Sequence, residues 1–303
     1  MLERRKFFAY EFTKSLQRDH RKKEYPPLAV FSQDVVGTKI FLQGFFELQE
    51  LQSIKEHILP QLKHRSIFLD IGANVGNHTA ALGPFFEEVI AFEPNPRTAK
   101  ILEANAMLFS NVSVCPFGLS DKEECVQTSY QDHNVGAASV ASGNKYKNKV
   151  EFNLKVLDEQ LSTEQMSAVS LIKIDVEGHE YEALRGMLRT LKESSAIVLF
   201  EINVPEIVNG TTKAKELLYE NGYTNFYSLD DISPFATSAI RLSKLLNTFS
   251  VLLFGKKLRG RLIPRKVDGK LQNKSYKMVR VSNPLDLMIH MTYQILLPST
   301  DSL

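Results

Sequence analysis

What this 303-residue chain lacks narrows its chemistry before anything it contains. Two cysteines, Cys115 and Cys125, are too few for a disulfide framework, and no Cys/His spacing suggests zinc. Cys115 falls in an apolar, strand-like run and is expected in the core. No run reaches the ~18 apolar residues of a membrane span. The opening Met1-Leu2-Glu3-Arg4-Arg5-Lys6 is not followed by a signal-peptide core, so a reducing cytoplasm is the expected compartment. The formal net charge is only +2, which implies no genome-scale nucleic-acid binder. No internal repeat is visible. Also absent are a Gly-x-Gly-x-x-Gly fingerprint for a dinucleotide and a Gly-Lys-Ser/Thr phosphate loop.

What is present centres on Ser66 to Gly76. Ile67, Phe68 and Leu69 form an apolar run that ends at Asp70 and enters a turn holding Gly72, Asn74 and Gly76. A short helix is expected over Asn77 to Leu82. A buried strand running through a Gly-rich turn into a helix is how nucleotide-fold domains open. Glycine takes positive φ freely and lets backbone approach a ligand, and Asn is among the few other residues that tolerate it. Val89-Ile90-Ala91-Phe92 is a second such strand, and it ends at Glu93, 23 residues after Asp70. A carboxylate there can accept from both ribose hydroxyls, while Asp70 can face the cationic end of a ligand. Two acids around a Gly turn without a phosphate reader suit S-adenosylmethionine. The plain alternative is a core strand with a capping turn.

With 43% hydrophobic residues the chain can bury one large core with insertions. Residues 1–27 form a basic arm in which Phe7, Phe8, Phe12 and Leu16 interleave with Lys and Arg. Such a helix suits a membrane surface, or else packs its greasy side on the main domain. Residues 28–303 form the main domain. Short strands are expected at Leu28–Phe31 and Lys39–Leu42, then a helix from Leu48 to Leu59 ended by Pro60. Beyond the Gly turn, strands and helices alternate as in a parallel sheet covered on both faces. A helix is expected over Arg97–Phe109, a strand over Val112–Phe117, and then the turn Gly118-Leu119-Ser120-Asp121, where Ser120 and Asp121 are adenine-side candidates. Residues 122–150 look like an inserted hairpin or loop, followed by a strand from Val150 to Leu157. Leu171 to Ile174 is the fourth strand, with a helix from Tyr181 to Leu191 after it. Ile197–Phe200 is the fifth strand, closing at Glu201, Asn225–Leu229 is the sixth, and Leu285–His290 is a candidate seventh. A second insertion, about 233–280, holds an apolar helix-like stretch at 235–254 and a basic tract over Lys256–Lys266.

Six blocks together carry a resemblance. They are Phe68-Leu69-Asp70-Ile71-Gly72-Ala73-Asn74-Val75-Gly76, Ala91-Phe92-Glu93-Pro94-Asn95-Pro96, Gly118-Leu119-Ser120-Asp121, Ile172-Lys173-Ile174-Asp175-Val176-Glu177-Gly178-His179-Glu180, Leu184-Arg185-Gly186 and Phe200-Glu201-Ile202-Asn203. In these, over about residues 34–230, the chain resembles the FkbM family of S-adenosylmethionine-dependent methyltransferases. The resemblance implies an α/β class I methyltransferase fold, Rossmann-like, with a seven-stranded sheet, helices on both faces and an antiparallel last strand. It also implies methyl transfer to a hydroxyl of a sugar, glycolipid or secondary metabolite. On this reading the cofactor set is Asp70, Gly72, Asn74, Gly76, Glu93, Asn95, Ser120 and Asp121.

Methyl transfer is an in-line displacement that needs a positioned hydroxyl and a base to take its proton. Asp175, Glu177 and His179 follow the fourth strand, at the rim where a methyl would point, with Glu201 at the neighbouring strand end. They form the expected catalytic set. Other readings stay open at this level: a helix cap at Glu177–His179, Mg²⁺ held by Asp175, Glu177 and His179, a cofactor-binding module without turnover, or a nicotinamide-dependent oxidoreductase. The apolar and basic segments outside the motifs suggest peripheral contact with a membrane or an acidic, lipid-linked substrate.

Overall fold

The computed structural model describes residues 2–130, 140, 147–201, 212–231, 276–280 and 293–297. The apolar runs become the strands of one sheet. Its parallel part contains β1 (Ile67–Ile71), β2 (Glu88–Phe92) and β3 (Val112–Cys115). The chain then leaves this sheet for a small one made of β4 (Gly118–Leu119), β5 (Glu124–Tyr130) and β6 (Asn148–Lys155). It returns with β7 (Val169–Ile174), β8 (Ile197–Glu201), β9 (Asn225–Asp231), β10 (Tyr276–Arg280) and β11 (Tyr293–Leu297).

The order is β10-β9-β11-β8-β7-β1-β2-β3. From β3 to β8 all neighbours are parallel, while β11 runs antiparallel to both β8 and β9, and β10 antiparallel to β9. Winding reverses between β1 and β7, which is where open α/β sheets leave a crevice for ligands. The topology is that of a Rossmann-like class I fold, with eight strands among the described residues where seven are expected. The extra one, Tyr276–Arg280, falls in the second insertion and pairs on the outer edge of β9. The antiparallel strand is Tyr293–Leu297; Leu285–His290 lies outside the described residues, as do the apolar stretch 235–254 and the basic tract after it.

The helices are α1 (Leu2–Lys22), α2 (Val35–Gln43), α3 (Leu48–Ser53), α4 (Asn77–Leu82), α5 (Pro96–Ala106), α6 (Thr163–Ala168), α7 (Glu180–Arg185), α8 (Leu188–Glu193) and α9 (Lys213–Glu220). Strand side chains alternate between faces. Ile67, Leu69, Ile71, Ile172 and Val198 pack with Met166, Leu184, Leu191 and Leu218 from α6 to α9. Phe68, Val89, Leu171 and Leu199 face the other way, onto Leu51, Ile54 and Ile58 after α3's start and onto Ala80–Leu82 of α4. By the same alternation Asp70 and Lys173, cross-strand partners in register, lie on the α3/α4 face.

Two local expectations are overturned. The strands expected at Leu28–Phe31 and Lys39–Leu42 do not form, and Val35–Gln43 is helical instead. Asp34 caps that helix, its carboxylate accepting from Val36 N at 3.0 Å and Gly37 N at 3.3 Å, and Gly44 ends it at φ 91°. A cap at each end outweighs the strand preference of the β-branched residues between them. The helix expected over Tyr181–Leu191 is broken around Gly186, where a Cβ would stand 2.0 Å from the Ser120 carbonyl oxygen. That close approach seats the α7–α8 corner on the turn after β4. Cys115 is only partly buried, packed against the larger core cluster.

Asn105 of α5 fastens the N-terminal segment to the glycine turn. Its side chain accepts from Ala29 N at 2.7 Å and donates to Ala29 O at 3.0 Å and Val75 O at 2.7 Å, all around a residue 3% exposed. Asn105→Ala is expected to destabilise the protein by about 2–4 kcal/mol, since it orphans several backbone groups at once. Urea denaturation checks this, and an unchanged midpoint would contradict the anchoring role.

Candidate functional site

A cavity of about 280 Å³ opens at the C-terminal ends of β1, β2, β7 and β8, the size of site that takes one small ligand. The Gly turn forms its floor. Gly72 sits at φ 77°, and a Cβ there would meet the Asp175 carbonyl oxygen at 1.9 Å, so no other residue fits. Gly72 N and Ala73 N both donate to Phe92 O at 3.0 Å, which docks the turn on β2. Asn74 adopts φ 53° as the turn requires, and Gly76, at φ 88°, precedes α4.

Glu93 is the hub on the β2 side. Its Oε1 accepts from Asn95 N and from Thr98 Oγ1, each at 2.9 Å, and its Oε2 accepts from Asn74 N at 2.8 Å. One carboxylate thus holds the Gly turn and the start of α5 together. Oε2 keeps a lone pair for a ligand hydroxyl. Burial raises the Glu93 carboxyl above the usual carboxylate range, against the pull of those three hydrogen bonds. Asn95 is buried and caps α5, accepting from Arg97 N at 3.1 Å.

Asp70 is not on the cavity surface. It is fully buried, accepts from Thr79 Oγ1 at 2.6 Å, and lies 3.8 Å from Lys173 Nζ. Lys173, 2% exposed, also meets Asp175 at 3.1 Å and reaches Gly72 O at 3.5 Å. Burial alone would lower the Lys173 ammonium, but Asp175 and Asp70 outweigh it and hold the group above its ordinary value. A lysine inside an apolar strand is the signal that could have found it, because a buried charge needs partners.

The rim after β7 is built by Glu180, whose carboxylate accepts from Val176 N at 3.2 Å and Gly178 N at 3.1 Å and so closes the turn. Within it Glu177 takes φ 54°, and its carboxyl is raised by burial and then by Asp175. Glu201 is pushed up to about 8 by burial and the neighbouring Asp175 and Glu177. Glu47, which sequence reading passes over, joins them across the cavity at about 7, for the same reasons of burial and Asp175. His179 Nε2 lies 3.0 Å from Ser120 Oγ, and burial lowers the ring's proton affinity, which keeps it neutral at pH 7. Asp121 pairs with Arg185 at 2.9 Å.

Of the residues expected from sequence, Gly72, Asn74, Glu93, Asp175, Glu177, His179 and Glu201 all line this cavity. Asp70, Asn95 and Ser120 do not line it but contact Lys173, Glu93 and His179, which do, while Gly76 and Asp121 stand outside the lining. An apolar wall comes from Leu119, Phe152 and Leu154 of the small sheet with Pro94 and Val140.

Comparison with known proteins gives the family. Residues 70–224 match the model of the methyltransferase FkbM domain, half of the chain. A hexuronic acid methyltransferase, AglP of Haloferax volcanii, is 27% identical over 158 residues. That alignment takes in 50% of this chain and 63% of AglP, so the chain spans less than two thirds of that relative. Among solved structures, methyltransferase FkbM from Methylobacillus flagellatus is similar at 18% identity over 63% of this chain and 48% of its own, with a TM-score of 0.33. SMU.1697c from Streptococcus mutans, solved in complex with SAH, is similar at 12% identity over 59% of this chain and 87% of its own, with a TM-score of 0.35. The chain belongs to the FkbM family of S-adenosylmethionine-dependent methyltransferases.

Proposed function

We propose that the protein methylates a hydroxyl of a sugar, glycolipid or secondary metabolite. The observation that carries this reading is the pairing, in one cavity, of a hub carboxylate beside a Gly turn with a cluster of acids at the facing strand ends. S-adenosylmethionine, when bound, would supply a methyl on a sulfonium for transfer to an acceptor oxygen, with neutral S-adenosylhomocysteine as the other product. Glu93 suits the ribose, the apolar wall of Leu119, Phe152 and Leu154 suits the adenine, and Gly72 and Asn74 bring backbone close to the nucleoside. Glu47, Asp175, Glu177 and Glu201 line the cavity around Lys173, the one cation among its described lining residues, and a cationic sulfonium beside them would favour their ionised forms. That AglP carries the name hexuronic acid methyltransferase supports a sugar as acceptor.

The proton of the acceptor hydroxyl goes to the Asp175–Glu201 pair. A carboxyl with a pKa near 8 is a stronger base than an ordinary one and is poised close to working pH. Glu177 and His179 orient the acceptor, the imidazole held by Ser120.

Glu93→Ala is expected to weaken S-adenosylhomocysteine binding by about 1–3 kcal/mol in calorimetry. NAD is expected to give no binding heat with the unmodified protein. Unchanged affinity in a folded Glu93→Ala variant would remove Glu93 from the cofactor site.

Asp175→Asn and Glu201→Gln should each lower turnover by about 10²–10⁴-fold while S-adenosylhomocysteine still binds. Glu177→Gln and His179→Ala should chiefly raise the acceptor KM. If all four variants turn over at the normal rate, the base lies elsewhere.

Contact with an anionic membrane surface completes the proposal. On α1, Phe7, Phe8, Tyr10 and Phe12 are all more than half exposed, among Lys6, Lys14 and Arg18. Aromatics beside cations suit the headgroup layer, where each cation contributes about 1 kcal/mol. Flotation with anionic liposomes at low salt should carry the protein upward, and a Phe7→Ser/Phe8→Ser variant should stay below. Equal behaviour of the two would end this part of the reading.

A further inference from the structure

On the α3/α4 face, three ligand-type side chains converge that neither the glycine turn nor the proposed base employs. Glu47 begins α3, Glu50 lies within it, and His78 is the second residue of α4. One ligating atom from each falls within 4.8 Å of the others. His78 Nε2 and Glu50 Oε1 are 3.6 Å apart, close to the ~3.4 Å edge of a tetrahedron with ligand bonds near 2.1 Å. Among the described residues Asp175, Glu177 and His179 do not converge in this way.

We propose that Glu47, Glu50 and His78 bind a divalent transition ion of the Mn²⁺ or Zn²⁺ kind, with its open coordination position facing the cavity. Glu50 is the independent reason to look for a ligand. It is 5% exposed, and its Oε1 is buried, points at His78 and makes no hydrogen bond. A buried carboxyl oxygen left without a partner costs free energy that a cation would recover. His78 does not supply the answer, because its Nε2 stands 3.6 Å away, beyond hydrogen-bond reach. Burial pulls its imidazole down to about 3 and leaves it neutral. A neutral imidazole is a metal ligand. Two carboxylates and one imidazole suit Mn²⁺ or Zn²⁺ better than Mg²⁺, which prefers oxygen and water.

The surroundings agree in charge and in rigidity. Glu47, Glu50, Asp70 and Asp175 gather around Lys173, which is already divided between the two aspartates. A dication would favour the ionised forms of these crowded carboxyls. Asn77, 5% exposed, accepts from Phe46 N at 2.8 Å and donates to Phe46 O at 3.0 Å. The residue before His78 therefore grips the residue before Glu47, fixing the two ligand-bearing segments against each other. Glu47 and His78 both reach the cavity wall. An ion there would polarise an acceptor hydroxyl and lower its pKa. This role rests on the methyl-transfer reading, while the binding site does not.

The test uses the full chain stripped with EDTA and titrated with Mn²⁺, free ion being followed by electron paramagnetic resonance, and with Zn²⁺ by calorimetry. One equivalent is expected to bind. Glu50→Gln and His78→Ala should each weaken it more than about 100-fold, and Glu47→Gln about tenfold. Glu50→Gln preserves shape, so the test stands even if His78→Ala fails to fold. Absence of a stoichiometric site, or unaltered affinity in Glu50→Gln, overturns the proposal. S-adenosylhomocysteine binding measured on the same samples separates the two readings: its survival without metal binding sinks only the ion, and its loss with metal binding intact sinks only the cofactor assignment.

Discussion

Lys173 is the constraint from which the site follows. An ammonium placed inside the central strand, 2% exposed, is tolerated only with negative partners at hand. Asp70, opposite it in register on β1, is one, and Asp175, two residues further along β7, is the other. The same ammonium touches the carbonyl of Gly72. The ends of the two strands that flank the crevice are thereby tied at one point. Such a buried network is weak as a source of stability, since desolvation opposes it, but it specifies which conformations the two strand ends adopt.

From that point the electrostatics of the cavity can be followed outward. Lys173 neutralises Asp70 and Asp175 in part and leaves Glu47, Glu177 and Glu201 uncompensated. Their carboxyls rise because they are half-buried near one another. Perturbed groups gathered in one concavity are what sites of proton transfer require. The apolar wall from the small sheet lowers the local dielectric and strengthens each of these effects.

How much of this is legible in the sequence depends on whether the partner of each residue is near in the chain. The strand–turn–helix from Ile67 to Leu82 is local, and its glycines and Asn74 announce the positive φ angles they adopt. Glu93 and Glu201 end apolar runs, so their place at strand tips follows from the pattern. Asp70 also ends a run, but its alternation points it into the core towards Lys173, a pairing across 103 residues that the pattern does not contain. Ser120 and Asp121 lie in a turn as expected, yet their side chains are committed to His179 and Arg185. Glu47 and His78 carry no spacing signal because they come from separate helices joined through Asn77. Val35–Gln43 misleads for the opposite reason: its β-branched residues outnumber the two caps that decide its fold.

Glu93 has a consequence for what ligand capture demands of the protein. Its carboxylate is already bonded to the amides of Asn74 and Asn95 and to the Thr98 hydroxyl before any ligand arrives. The turn, the strand end and the start of α5 therefore need no ordering upon encounter, and the entropy lost on binding is mainly that of the incoming molecule. A preformed mould of this type discriminates by shape at first contact instead of adapting afterwards. It also means that, on the proposed assignment, the Glu93 side of the cavity can stay rigid while acceptors of different outline are accommodated beside the acids of β7 and β8.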